Sequence, residues 1–316
     1  MNKNFIAITI GDINGIGLEI LIDLYCKNKI KNFILFTNYK IFINKVKKKI
    51  LKSEIHIIYK NNFYSFYNKK KFLIYTFDAK NQHENTYNSL IQSYNLTKNY
   101  NFKGIINLPL NKKNIIKNID KNFIGQTEFY QKLDSKKISN MIFIYNQYII
   151  TTLTTHIPIN KVSKQISSKS YIFDKIISLE LCLKNNFNIK NPKILISGLN
   201  PHASENGCIG NEEEKIINPV INKLKKNKIN IFGPYSSDSF FNKKNINKYD
   251  CFAFIYHDQA LILYKYISKN RGVNFTGGLS ILRVSPDHGT AYNIVGKNLA
   301  ENKSLLNCFK FINSRK

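Results

Sequence analysis

AFIYHDQALILYKY, residues 253–266, sets an apolar run against an abrupt polar break. With Cys251 and Phe252 before it, CFAFIY has the length and the Phe, Ile and Tyr content of a buried strand. It stops at His257-Asp258-Gln259, and a lysine, Lys265, follows eight residues after the histidine. The pattern recurs along the chain. FIAITI (5–10), FILFT (33–37), FLIYTF (72–77), GIINL (104–108), MIFIY (141–145) and KILISG (193–198) read as buried strands, mostly ended by turn residues. Helical patterns lie between them, such as GLEILIDLYCKN (17–28) and NEEEKIINPVINKLKKN (211–227). The second opens with Asn211 and three glutamates and closes in lysines, which complements the helix dipole at both ends. This alternation predicts an α/β fold with a largely parallel sheet and helices on its faces. No internal repeat or low-complexity linker separates domains, so any boundary is a crossover of the chain.

The 316 residues suffice for two domains or one large one, and 43% hydrophobic content allows a packed core. No apolar run approaches the roughly 20 residues that span a bilayer. The N-terminal apolar stretch runs straight into a glycine loop, so it does not read as a signal peptide. Five cysteines stand singly with no CxxC, as expected of reduced thiols in a cytoplasmic protein. A net charge of +28 raises the question of nucleic acid. Of the 48 basic residues, however, 45 are lysine and three are arginine, and the lysines are spread over the whole chain. Arginine is the preferred residue for bidentate phosphate and base contacts, so the composition argues against a dedicated nucleic-acid protein.

In open α/β sheets, ligands gather beyond the carboxyl ends of the strands. The unusual residues of this chain fall there: GDINGIG (11–17), LPLNK (108–112), TTHIP (154–158), GLNPHASENG (198–207) and YHDQ (256–259). His156, His202 and His257 each stand at a predicted strand end beside Pro or Asp. Three imidazoles with open positions would suit a catalytic divalent metal, and a packed turn histidine is the plain alternative for each. Their separations of 46 and 55 residues match no short metal motif, so the fold would have to assemble them. Cys208 reads as a loop residue that could supply a fourth ligand. GDINGIG is either an anion cradle or simply a tight βα turn; its spacing is neither the dinucleotide fingerprint nor a Walker loop. RGVNFTGGLSILRVSPDHGTA (271–291) holds four glycines, Arg271, Arg283 and Asp287-His288. An arginine there suits a phosphate or carboxylate, and Asp287 reads alternatively as the cap of a helix beginning near Gly289. GQTEFY (125–130) puts Thr127 and Glu128 at a helix start, as an anion site or a plain cap.

Taken together these motifs resemble the 4-hydroxythreonine-4-phosphate dehydrogenase family of pyridoxal phosphate biosynthesis. The resemblance is carried by GDINGIG, LPLNK, GQTEFY, TTHIPI (154–159), GLNPHASENG, GNEE (210–213), GPYSSDSFF (233–241), YHDQALILYKY (256–266) and GVNFTGGLSILRVSPDHGTA (272–291), in family order. It implies two α/β/α domains like those of isocitrate and isopropylmalate dehydrogenases, with the active site in a cleft between them. The first domain would comprise residues 1–130 and 280–316 and the second residues 131–279. It implies a homodimer with each site completed across the interface. It places one divalent metal (Zn, Co, Mg or Mn) on His156, His202 and His257, and substrate contacts on Gln126, Thr127, Lys265, Asn274 and Arg283. NAD or NADP would bind without a Rossmann fingerprint, near Gly11, Gly15, Gly17, Asp287 and His288. Asp238, Asp258 and Lys265 are the implied catalytic groups, the two aspartates for proton transfer or for orienting a ligand histidine. The implied chemistry is hydride transfer from C3 of a phosphorylated hydroxy amino acid, followed by loss of CO2.

The chain departs from the family pattern. Gln126 stands where the family has histidine, Leu18 where proline follows GIG, Leu108 where a small residue precedes proline, and Val284 where threonine is usual. Two rivals follow: a paralogous dehydrogenase for a phosphorylated sugar acid such as 4-phospho-erythronate or threonate, and a catalytically weakened basic protein that binds anions or RNA.

Overall fold

The computed structural model describes residues 4–46, 54–60 and 71–315. The chain divides into two compact units, one of residues 1–125 and 281–316, the other of residues 126–280. The helix Gln126–Leu133 opens the second unit.

The first unit is a parallel sheet in the order β3-β4-β2-β1-β5-β12. Its strands are β1 (Ile6–Thr9), β2 (Phe33–Phe36), β3 (Ile55–Ile58), β4 (Phe72–Tyr75), β5 (Gly104–Asn107) and β12 (Arg283–Pro286). Every residue of β1, β2, β4 and β5 is buried. That is why they read as continuous apolar runs and not as alternating ones. Helices α1 (Ile16–Cys26), α3 (Gln82–Tyr100) and α11 (Lys303–Asn313) pack on this sheet or beside it. The Asn81 side chain accepts from the amides of His83 and Glu84 and so starts α3; Asn101, in the left-handed region, ends it. From β1 the chain goes first to β2 on one side and later to β5 on the other. The topological switch point is therefore between β1 and β5.

The second unit has the order β11-β6-β7-β10-β8-β9. Its strands are β6 (Asn140–Tyr145), β7 (Tyr148–Thr152), β8 (Ile194–Ser197), β9 (Ile231–Tyr235), β10 (Cys251–Phe254) and β11 (Val273–Gly277). The sheet is largely parallel, as expected, and β6 is the exception: it runs antiparallel to both β7 and β11. A two-residue turn, Asn146-Gln147, joins β6 to β7, too short for the crossover that parallel neighbours need. The strands β7, β10, β8 and β9 are parallel. Helix α7 (Lys169–Phe187) packs on β6 and β11, and α10 (His257–Ser268) on β7, β10 and β6. Phe143, Phe240, Phe252, Phe254 and Tyr264 form the center of an aromatic core beneath α10.

The glycine-rich stretch 271–291 is not one ligand loop. It contains β11 and β12, so Asn274 and Arg283 are strand residues. Nor does a helix begin near Gly289. Only a short 3₁₀ turn, Tyr292–Ile294, follows, and the Asp287 amide donates to the Ser304 hydroxyl oxygen at 2.8 Å.

Candidate functional site

Three neighbouring strands of the second unit, β7, β10 and β8, lie parallel, and each is followed by a histidine: His156 and His202 in the segments after β7 and β8, and His257 as the first residue of α10 after β10. Neighbouring strands lie about 4.8 Å apart, so the segments bearing His156, His257 and His202 leave one sheet edge side by side. The edge is knit by backbone bonds. Leu153 and Thr154 donate to the Phe254 and Ile255 carbonyls, tying β7's exit to β10's, and Gly198 donates to Tyr235, tying β8's exit to β9's.

His156 and His257 come together, with ring centroids 5.6 Å apart and planes inclined at 42°. They share a cavity of about 130 Å³ with Thr154, Ile157, Tyr256 and Asp258. The Nδ1 of His156 lies 2.7 Å from Glu128 Oε1, and the Nδ1 of His257 lies 2.7 Å from Asp258 Oδ1. A carboxylate at Nδ1 fixes that nitrogen as the proton-bearing one and leaves the Nε2 lone pair for a ligand. In the sequence Glu128 stands out only with Thr127, at a helix start read as an anion site or a plain cap; its bond to His156 is not foreseen there. The signal was its place inside GQTEFY.

His202 does not join that pair in a three-member cluster: among the described residues no group of three His, Cys, Asp or Glu side chains is close enough to hold a metal ion. Its Nδ1 is 3.8 Å from Asp238 Oδ2, and both side chains are mostly exposed. The loop that carries it has an unusual backbone. His202, Ala203, Ser204, Glu205 and Asn206 all have φ between 46° and 69°, followed by Gly207 at 87°. Left-handed backbone costs about 1–2 kcal/mol per non-glycine residue and normally occurs singly, so such a run needs outside support. Glu213 gives it. Its buried carboxylate accepts from the amides of Leu199 and Asn200 at 2.7 and 2.8 Å and from the Asn200 side chain. The glutamates of 212–214, read in the sequence as complementing a helix dipole, thus include one that clamps the His202 loop. The segment also begins with a π turn, Glu213–Ile217, before α8 (Asn218–Lys226).

The donor chemistry fits a divalent ion: three imidazoles at one sheet edge, each with a carboxylate near Nδ1, two of them already adjacent. Asp258 and Asp238 thereby occur beside ligand candidates, and the Ser236 hydroxyl holds the exposed Asp238 carboxyl below its ordinary range. Cys208 is an exposed free thiol on the same loop. Lys265 follows on α10, its Nζ 3.3 Å from Asn270 Oδ1. Gln126 and Thr127 open helix α5 (Gln126–Leu133). Thr127 is buried, with its hydroxyl 3.4 Å from that of Thr276 on β11. Asn274, also on β11, keeps a buried Oδ1 with no hydrogen-bond partner among the described residues, which marks a place for a ligand's donor.

In the first unit the switch point is occupied by the glycine loop. Gly11 has φ 62°, and a Cβ there would stand 2.4 Å from the Pro109 carbonyl oxygen. At Gly15 a Cβ would stand 2.9 Å from the Thr290 carbonyl. The glycines serve the close approach of three backbones. The Ile16 amide, an expected anion donor at the start of α1, is bonded to Thr290 O at 2.9 Å. Tyr292, absent from the expected set, ties the same loops: its hydroxyl donates to Asp12 at 2.6 Å and accepts from Asn111 at 3.0 Å. Arg283 is 1% exposed, and its Nε donates to Asn107, which in turn donates to Thr9 across three strands. Asp287 is buried, and the His288 Nδ1 lies 3.1 Å from Gly289 O.

Fold and sites together define an α/β protein with its polar groups gathered at the carboxyl edges of parallel strands, one edge bearing an imidazole set. Comparison with known proteins gives that class a family. The model of the pyridoxal phosphate biosynthetic protein PdxA matches residues 29–312. A 4-hydroxythreonine-4-phosphate dehydrogenase of Wigglesworthia glossinidia brevipalpis is 35% identical over 96% of this chain and 95% of its own. One from Sulfurihydrogenibium sp. is 34% identical over 95% of both. The crystal structure of a protein of the same name from Klebsiella pneumoniae superposes with a TM-score of 0.83, covering 99% of each chain at 22% identity, a likeness of fold. The chain belongs to the PdxA family.

Proposed function

We propose that this chain is an NAD(P)-dependent, divalent-metal-dependent dehydrogenase that oxidises 4-phosphooxy-L-threonine to 2-amino-3-oxo-4-phosphooxybutanoate, which then loses CO2 to give 3-amino-2-oxopropyl phosphate. It works as a homodimer in pyridoxal phosphate biosynthesis. The observation that carries the reading is the His156–His257 pair with its carboxylate partners, in a chain of this family.

His156, His202 and His257 are the metal ligands in this reading. A divalent ion held there would supply Lewis acidity toward the substrate's C3 hydroxyl, and a nicotinamide cofactor would supply the hydride acceptor. The chain's own groups do the rest. Glu128 and Asp258 keep the Nε2 atoms of their histidines unprotonated. Asp238 or Asp258 receives the hydroxyl proton, since an ionised carboxylate at the rim of the imidazole set can hold it. Lys265 and Arg283 fix the anionic phosphate and carboxylate; Thr127 and Gln126 orient them, and Asn274 Oδ1 accepts from the substrate's ammonium. The β-keto acid product carries its carboxylate on the carbon next to the ketone, so C–C cleavage needs only an electron sink there. Gly11, Gly15, Gly17, Asp287 and His288 form the cofactor side.

Purified protein, offered 4-phosphooxy-L-threonine and 4-phospho-erythronate in turn with NAD or NADP and each metal, should reduce cofactor with the first substrate. Preference for the sugar acid would move the assignment to the paralogous dehydrogenase, with Gln126 as the responsible difference. His202→Ala should abolish metal-dependent turnover. Full activity in that variant after chelation would overturn the metal assignment.

A further inference from the structure

Gln259 closes the motif Tyr256-His257-Asp258-Gln259 and takes no part in the chemistry above. Its Oε1 accepts from the Ile255 amide at 2.9 Å and from the Ser197 hydroxyl at 3.1 Å. Its Nε2 donates to the Gly198 carbonyl at 2.9 Å and to the Ser237 hydroxyl at 2.6 Å. A primary amide has two donor hydrogens and two acceptor sites, so this one is fully used. The four partners lie on three different segments. Ile255 leaves β10 toward His257, Ser197 and Gly198 leave β8 toward His202, and Ser237 follows β9 beside Asp238.

β8 and β10 pair within the sheet; past the strand ends, the backbone bonds among the described residues link β7's exit to β10's and β8's exit to β9's, two separate pairs. The Gln259 side chain bridges the pairs. It also holds the start of the strained loop beside the buried Glu213 clamp: Glu213 accepts from the Leu199 and Asn200 amides, and Gln259 donates to the Gly198 carbonyl. No other residue of similar size reproduces this. Glutamate keeps the shape but sets acceptors against the Gly198 carbonyl, and methionine keeps the length but removes every bond.

We propose that Gln259 is a positioning residue that sets the placement of His202 and Asp238 relative to His257, one amide spanning three strand-end loops. The proposal rests on the assignment of the histidines as metal ligands, and its test separates the two. Hydrogen exchange is measured on the metal-free full chain, wild type against Gln259→Met and Gln259→Glu. Cobalt(II) is titrated into each, following its visible absorption. Exchange should quicken at least about tenfold in residues 198–206 and 236–239 together, with the core strands unchanged. Cobalt affinity should fall by about 10- to 100-fold, with an altered absorption band. Quickening confined to residues 255–259 would show a local turn cap and overturn the proposal. An unchanged cobalt band and affinity in both variants would also overturn it, provided His202→Ala and His257→Ala lose cobalt. If those two alanine variants keep cobalt, the metal assignment fails and the exchange data alone decide on Gln259. Should neither Gln259 variant fold, Ser237→Ala removes one bond of the four. Faster exchange at 236–239 with a shifted cobalt band supports the bridge, and an unchanged profile overturns it.

Discussion

Lys175 lies on α7 with 4% of its surface exposed, its ammonium donating to the Ser139 carbonyl at 2.6 Å. Burial pulls its pKa down to about 8, with Glu128 pulling the other way. Protonation is thus penalised in the folded state below about pH 8 and costs nothing above the unfolded value of 10.5. Between those limits the unfolded chain binds more protons, so this group's contribution to stability rises with pH, by about 3 kcal/mol in all. Denaturant unfolding of wild type and Lys175→Met at about pH 7 and about pH 10 should show the stability difference moving toward wild type by that order. A constant difference would refute the buried charge. Gln126 supports a second prediction. In the proposed function it would donate a neutral hydrogen bond where the resemblance implies an imidazole, and a charge-assisted bond is worth about 1 kcal/mol more. Gln126→His should lower KM for the phosphorylated substrate about fivefold at about pH 6–7, and an unchanged or higher KM counts against the idea. At this scale the sequence was legible where a residue type is itself rare: the three histidines stood out among six, and two of them do meet. Glu128, Glu213 and Gln259 were less legible, because a carboxylate or amide shows its worth only through bonds made across distant loops.

Elements were legible where burial is uniform. β1, β2, β4 and β5 are apolar throughout because both faces of a parallel sheet are covered, and no competing helix period is present. The strand Val273–Gly277 was missed because it holds Asn274, Thr276 and Gly277, and Arg283–Pro286 because it opens on a charge. Each mixes buried apolar residues, Val273 and Phe275 or Val284, with polar ones, so neither makes a continuous apolar run. The His202 loop was legible as a loop but not as a left-handed run, since Ala, Ser and Glu carry no preference for positive φ. The glycine turn after β1 was legible as tight, and the structure says why. Gly11→Ala would strain φ at 62° and drive Cβ to 2.4 Å from a backbone oxygen that cannot swing away. It should destabilise the protein by about 3 kcal/mol, read as a lowered denaturation midpoint. A loss under about 1 kcal/mol would mean the β1–α1 turn relaxes freely, and with it the case for close packing against Pro109.

Over the whole molecule the largest number in the sequence, a charge of +28, says least about the site. The anchors are few and interior: Arg283 is held by Asn107, and Lys175 is buried against the Ser139 carbonyl. The other lysines are distributed along both units, and many of the helices end in them. They complement helix dipoles in addition to raising the net charge. A distributed field of this kind attracts any polyanion through counterion release and reads no sequence. RNA binding should therefore be detectable at about 50 mM salt, fall by roughly a thousandfold by about 200 mM, and show no preference between unrelated sequences. Filter binding or fluorescence anisotropy over that salt range, with and without saturating phosphorylated substrate, measures it. Selective binding that survives the higher salt would revive the anion- or RNA-binding alternative, because selectivity requires positioned contacts that a diffuse lysine field does not offer.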